Sequence, residues 1–456
     1  MFEELKRLFT VDAPPRDGLT GGDASLLDVL DLGLLRGEAR AADIAAGRIS
    51  VKDPHQRRLE AARVWRELAR RTGDPVALRN AALGAEKAVQ GFKTEGRIKA
   101  WAAARCEQAM SAMLGAELYG DEGLNAAAEI ALNDSAAAAP SGACAAIAAG
   151  QLARLKALPL FKDGGYEAVR QAAAAFDAPI AALSTHLRSK AVSKALLADL
   201  RCQRGELLMS AAARLQDSRL YDQAIGELDR LVARLDVAYE PLARARALAL
   251  TASARVGLGR VLDRIEEVAE GVEMLVAAID SVTPDHSPLD WARLQYALAH
   301  ALQALGEGSE TDRAFEHALS CYQRALWVTR DQPALALRAV MSQDQAHCLA
   351  RRAELAAQPG LLDDAILYLL QDLQKIHPQR DPVGWAIAQV NLAQLYVARL
   401  DLNGGGRERA AAALALSSAI EVFGEHGLRS LIDHASQALD ALEARPPTGP
   451  SGPASA

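Results

Sequence analysis

The sequence predicts an all-α chain: a solenoid of about eight helical hairpins closed by a C-terminal capping helix. Three observations carry this. Half of the 456 residues are hydrophobic, yet only 4% are aromatic, and alanine alone makes up about a fifth of the chain. Alanine and leucine favour helix, while the β-branched and aromatic residues that build sheets are scarce. Helix-start signals recur as an acidic or hydroxyl residue before proline, at Asp53-Pro54, Asp74-Pro75, Glu240-Pro241, Ser287-Pro288 and Asp381-Pro382. Proline suits the first helical position, and the preceding side chain caps the free amides. These starts are also periodic. Pro241 and Pro288 lie 47 residues apart, and Pro288 and Pro382 lie 94 apart, twice that spacing. A fixed period of this size marks a solenoid whose units bury their apolar faces against one another.

Each unit reads as two helices. Pro288 to Leu305 carries apolar residues at three-to-four spacing (Trp291, Leu294, Leu298, Ala301, Leu302, Leu305), Gly306 to Ser309 is the expected turn, and Ala314 to Val328 is the second helix. Ser287 and Asp290 form a near capping box at its start. The same alternation fits 194–215/219–235, 241–258/262–280, 333–356/362–376 and 382–400/408–424, and more loosely 54–71/75–91, 95–119/121–133 and 143–158/164–187. Leu428 to Ala444 is the capping helix. The organisation expected is an amphipathic segment and linker over 1–23, degenerate alanine-rich repeats over 24–193, clearer repeats with their cap over 194–444, and a disordered Pro/Gly/Ser tail over 445–456.

Charge and cysteine usage narrow the function classes. Fifty-one basic residues face fifty-eight acidic ones, interspersed, for a net charge of −7. No basic stripe of the kind a nucleic-acid binder needs stands out. Arginine outnumbers lysine, which together with the alanine content points to a GC-rich bacterial genome. The five cysteines (106, 144, 202, 321, 348) are odd in number, far apart along the chain and without a C-x-x-C pair, as expected of reduced thiols. No signal-peptide layout opens the sequence, and the longest uncharged run, Ser135 to Ala153, is interrupted by Pro140 and Gly142. A cytoplasmic protein without membrane insertion is expected.

Candidate chemistry is sparse. His317 and Cys321 share a helix face and His347-Cys348 follow on the next first helix, but adjacent residues diverge by about 100° on a helix, so no metal site is expected. Gly404-Gly405-Gly406-Arg407 lacks the Lys and Ser/Thr of a phosphate-binding loop. No nucleophile–base motif is present, so neither an enzyme nor a cofactor is expected. Phe2, Leu5, Leu8 and Phe9 fall on one side of a short amphipathic helix, expected to dock on the chain itself or on a partner. Residues 38–71, with the Gly47 turn, offer an alternative: a helix-turn-helix in a transcriptional regulator whose solenoid senses a ligand. Asp53, Pro54 and Glu60 argue against it, because they fall where a recognition helix would meet phosphate.

Three stretches carry a family resemblance. Ser287-Pro-Leu-Asp-Trp-Ala-Arg-Leu-Gln295 and Asp381-Pro-Val-Gly-Trp-Ala-Ile-Ala-Gln389 resemble the Pro-x-x-Trp-Ala-x-x-Gln helix start of long-period bacterial tetratricopeptide repeats (TPR), and Arg219 to Leu228 resembles the family's second helix. The resemblance covers roughly 194–425. It implies a non-catalytic scaffold or adaptor that binds a peptide or helix of a protein partner in a groove lined by first helices. By position in the motif, the groove residues would be Arg293, Tyr296, His300 and Gln303 in one repeat, and Ile387, Val390, Asn391, Gln394 and Val397 in another.

Overall fold

A computed structural model describes residues 23–48, 52–187, 192–356, 358, 360–403 and 406–445. Among these residues the regular elements are helices, with no strand. Contacts gather the chain into two units, one of residues up to Glu117 together with Glu122–Ala304, the other of Leu118–Asp121 and the residues from Leu305 onward.

The first unit opens with α1 (Leu32–Gly47) and α2 (Pro54–Thr72), followed by α3 (Pro75–Thr94), α4 (Ile98–Tyr119), α5 (Gly123–Ala138) and α6 (Ala143–Lys162). Then come α7 (Tyr166–Ala174), α8 (Asp177–Thr185), α9 (Lys194–Leu215), α10 (Ser218–Val232), α11 (Pro241–Leu262), α12 (Ile265–Asp280) and α13 (Pro288–Ser309), whose last turn falls in the second unit. Sequence neighbours pack as hairpins, α2 on α3 and α11 on α12, and first helices of successive hairpins also touch, α6 on α9 and α9 on α11. Small side chains permit this. The buried face of α3 is Ala77, Ala81, Ala85, Ala88 and Phe92, a four-residue stripe without bulk that lets the partner helix come close. One core runs from Cys106 to Leu258, so packing continues across residues 193–194, where the repeat signature fades in the sequence.

The second unit contains α14 (Asp312–Val328), α15 (Ala336–Leu355), α16 (Gly360–Lys375), α17 (Pro382–Asn403), α18 (Gly406–Glu425) and α19 (Arg429–Ala444). Here α17 packs on α18 and α18 on α19. Leu431, Ala435 and Leu442 of α19 close the core formed by Ala386, Val390, Ala412, Leu416 and Phe423. The architecture is a TPR-like helical-hairpin solenoid with a capping helix.

The proline signals act as helix starts. Asp53 accepts from the Gln56 amide at 3.0 Å, Asp74 from Val76 at 2.8 Å and Asp381 from Gly384 at 2.9 Å. The 47-residue period reappears in the backbone itself. The turns after α9, α11 and α13 each place a non-glycine residue in the left-handed region, Gln216, Asp263 and Glu310, at 47-residue intervals (φ 52°, 53° and 53°).

Two expectations need correction. The segment 164–187 is two helices rather than one, because Pro179 lacks the amide a helix interior requires and fits only the first turn of a new helix. Gly306 to Ser309 is the last turn of α13 rather than a loop, and the chain reverses after it. Gly306 serves close approach instead, since a Cβ there would sit 2.8 Å from the Phe315 ring. The segment bearing Phe2, Leu5, Leu8 and Phe9, and the tail beyond Arg445, lie outside the described residues.

Candidate functional site

Ion pairs in the first unit converge on one polar face, and every helix that contributes is the first helix of a hairpin. Asp290 (α13) accepts from Arg70 (α2) at 3.0 Å and lies 3.7 Å from Arg246 (α11) and 3.8 Å from Arg293. Arg293 donates to one oxygen of Glu117 (α4) at 2.7 Å, and Arg154 (α6) donates to the other at 2.9 Å. Arg154 also lies 3.8 Å from Asp199 (α9), which faces Arg246 at 3.4 Å. The circuit closes: three carboxylates and three guanidiniums alternate, and Arg70 and its neighbour Glu67 join at Asp290.

Position along the repeat explains the convergence. Asp199, Arg246 and Arg293 are 47 residues apart and occupy the same place in three successive first helices. Ser287 turns its hydroxyl to Asp290 at 2.8 Å, so the expected capping box contributes to the network, with Asp290 facing guanidiniums.

Burial and charge compete at each carboxyl group. Burial opposes ionisation of Asp290, but Arg70, Arg246 and Arg293 outweigh it and hold the group well below the usual carboxylate range. Glu67 and Glu117 behave alike, lowered by Arg70 and Arg71 and by Arg293 and Arg154 respectively against the cost of burial. Glu206 of α9 goes the other way. Burial first, and then the repulsion of Glu117 and Asp199, raise it to about 7. Water still reaches this face, because Glu117 keeps 39% of its side-chain surface exposed and Arg293 30%.

The N-terminal residues tie the first and last hairpins of the unit together. Arg71, fully buried, donates to the carbonyls of Leu27 and Leu30 and pairs with Glu67 at 2.7 Å. Asp28 accepts from the amides of Leu242 and Ala243 at 3.1 and 3.3 Å. It thus caps α11 from more than two hundred residues away, where the local N-cap residue, Glu240, makes no side-chain cap. Burial raises the Asp28 carboxyl above its ordinary value.

Of the residues expected in the groove, Arg293 is in the network. Tyr296 and His300 follow on the same helix with their rings edge to face at 4.6 Å, and Gln303 is buried. In the second unit Asn391 and Gln394 are half-buried, whereas Val390 is core, with Ile387 and Val397 packed against it. Those three apolar residues belong to the core that α17 shares with α18 and α19, where their hydrophobicity is best satisfied. Glu117, Arg154, Asp199 and Arg246 were missed; counting back 47 from Arg293 finds the last two.

The helix-turn-helix alternative fares poorly on geometry. Trp65 donates to Asp43 at 2.7 Å and ties α1 to α2. Arg63 and Arg66 of α2 pair with Glu107, Arg57 with Glu60, and Arg70 with Glu67 and Asp290. The basic residues that would meet phosphate are therefore largely engaged within the unit. Among the described residues no three His, Cys, Asp or Glu side chains gather as a metal site. Among the described residues one helix, α6, is long and apolar enough to cross a membrane, but Ile147, Leu155 and other residues of it are buried in the first unit's core.

No family model matches the sequence, and no curated protein matches it. Solved structures similar to this one include a Rap protein complexed with competence and sporulation factor, at 10% identity and TM-score 0.42, covering 84% of this chain and 96% of that one. A human IFIT1 dimer with PPP-AAAA is similar at 13% identity and TM-score 0.40, covering 93% and 94%. The P58(IPK) TPR domain is similar at 16% identity and TM-score 0.17, covering 91% and 99%. At such scores the architecture rests on the helix pairing described above.

Proposed function

We propose that the chain is a protein-binding scaffold and that the charged face of its first unit receives a segment of the partner. The observation that supports this reading is the convergence of charged side chains from six separate first helices, α2, α4, α6, α9, α11 and α13, on one face that water reaches. Arginine forks and carboxylates arranged in alternation match the donors and acceptors of a peptide and its charged side chains. Their charges largely cancel, so the face suits a segment carrying both signs better than a polyanion. It offers no paired nucleophile and base, which supports a binding role over a catalytic one.

The test is site-specific photocrosslinking in cell extract, with the reactive residue at Tyr296 or, as a comparison, at exposed Ile130 on the second helix α5. We expect a discrete polypeptide adduct at Tyr296, absent at Ile130 and lost when Arg293→Glu is added, with the helical melting curve retained. Equal adducts at both positions, indifferent to Arg293→Glu, would overturn the proposal.

A further inference from the structure

Apart from the charged face, the first unit holds a cavity of about 220 Å³ lined by two thiols, Cys106 of α4 and Cys144 of α6. The sulfurs are 3.5 Å apart although the residues are 38 apart in sequence. The buried Ser135 hydroxyl of α5 sits against both, 3.1 Å from Cys106 Sγ and 3.2 Å from Cys144 Sγ, and donates to the Ala102 carbonyl at 2.9 Å. Cys106 is buried, whereas Cys144 is partly exposed and lies in the first turn of α6, where free amides favour a negative charge. Arg63 and Arg66 of α2 line the same cavity.

We propose that Cys106 and Cys144 form an oxidisable dithiol, with Cys144 as the attacking sulfur and the cavity as the entry for a small hydroperoxide. The Cys144 thiolate attacks the terminal oxygen of the peroxide; an S–O bond forms, the O–O bond breaks, and hydroxide or alkoxide leaves and takes a proton. Cys144 is thereby oxidised by two electrons to the sulfenic acid. Cys106 Sγ then attacks Cys144 Sγ; the S–S bond forms, the S–O bond breaks, and the hydroxide leaves as water with the Cys106 proton. An external dithiol returns the pair to its reduced state by exchange.

The division of labour follows from the surroundings. Hydrogen bonding with Cys106 first, and the charge of Arg63, pull Cys144 down to about 7 against the cost of burial. Its bond to Cys144 and burial push Cys106 far up, so this sulfur keeps its proton until it attacks the sulfenic acid. The charged or titratable groups lining the cavity besides Cys144 are Arg63 and Arg66 from α2 and Cys106 and Glu107 from α4; the start of α9 adds Leu196 and its N-cap residue Ser193. Glu107 is itself paired with both arginines.

The experiment treats the full reduced chain with hydrogen peroxide and reads intact mass and disulfide-linked peptides. We expect loss of the two thiol hydrogens and a Cys106–Cys144 peptide, formed roughly tenfold faster at pH 8 than at pH 6, as the thiolate fraction rises through a pKa near 7. Cys144→Ser should abolish the reaction. Cys106→Ser, or Cys106→Ala if the serine variant loses its helical signal, should stall with a dimedone-trappable sulfenic acid on Cys144. Cys202→Ser should change nothing. Peroxide that oxidises methionine while both thiols remain titratable would overturn the proposal. So would disulfide formation that survives Cys144→Ser, or a rate flat between pH 6 and 8.

Discussion

The same register of the repeat is charged in one unit and apolar in the other. Positions 199, 246 and 293 of the first unit are Asp, Arg and Arg, while the equivalent positions 340 and 387 of the second are Val and Ile. In the first unit this register joins helices far apart in sequence, Arg70 to Asp290 across 220 residues and Arg293 to Glu117 across 176. In the second, the ion pairs among the described residues are local: Arg352 to Asp312 across 40 residues and Arg445 to Asp401 across 44. The second unit is thus a one-dimensional stack in which each hairpin depends on its neighbours. The first is a closed arrangement in which the end helices also hold one another. A repeat can keep its fold and change its thermodynamics by replacing one side chain per unit.

The comparison breaks most sharply at Arg71. Its guanidinium is fully buried and donates to two carbonyls of the N-terminal segment. Arg71→Met keeps the bulk but strands those carbonyls and one side of Glu67, at an expected cost of about 3–5 kcal/mol. Hydrogen exchange should show the loss in α1, α2 and the start of α11, with α15 to α19 unaffected. Loss of protection spread evenly over both units, or a change below about 1 kcal/mol, would mean that the closure is not what distinguishes the first unit.

Glu206 sharpens the comparison through pH. An unfolded glutamate ionises at its ordinary value of 4.5, whereas Glu206 in the fold holds its proton to about 7. Between those values the unfolded chain has lost a proton that the folded chain keeps, so this residue's contribution falls as pH rises and levels off above 7. Glu206→Gln should therefore stabilise the protein at pH 8 by about 1–3 kcal/mol and leave it unchanged at pH 4. Asp290 and Glu67 act oppositely: with depressed values, their stabilisation is complete above the ordinary carboxylate range and is lost on acidification. Urea midpoints of Glu206→Gln and parent across pH 4–8 check the Glu206 limb. A pH-independent difference would show that Glu206 is solvated like a surface residue.

How much of this was legible in the sequence depends on range. The prolines and the residues before them place the starts of α2, α3, α11, α13 and α17, because a helix start is decided within a few residues. The period was legible too, and Arg293 was named by the motif resemblance; two 47-residue steps back from it reach Arg246 and Asp199. What could not be read is what depends on how the first unit curves: Asp28 capping α11, Arg71 holding Leu27 and Leu30, and Cys106 meeting Cys144. The cysteines looked scattered because 38 residues of chain separate two sulfurs that the α4–α6 packing brings to 3.5 Å. Val390, a groove position by the motif, is buried, since a motif position fixes the angle on a helix but not whether a neighbour covers it.

The smallest expected effect belongs to the second unit and tests the other half of the comparison. Arg352 of α15 pairs with Asp312 at 2.6 Å and Glu316 at 2.8 Å on α14, distances as short as those around Asp290. Counted as contacts, the two sites look alike. Yet Asp312 and Glu316 keep more than half of their side-chain surface in solvent, whereas Asp290 keeps none. Water already solvates these carboxylates, so the pairing replaces one favourable interaction with another and gives up side-chain freedom. The lowered pKa of Asp312, due first to its hydrogen bond with Arg352, is therefore a poor guide to stability here. Arg352→Ala should cost about 0.3–1 kcal/mol, and raising the salt from 0.05 to about 1 M should erase most of the difference. The same salt change should barely alter the penalty for Arg71→Met, whose partners are out of reach of mobile ions. A large, salt-insensitive loss at Arg352 would place the second unit in the same class as the first and remove the distinction that the apolar register at Val340 and Ile387 implies.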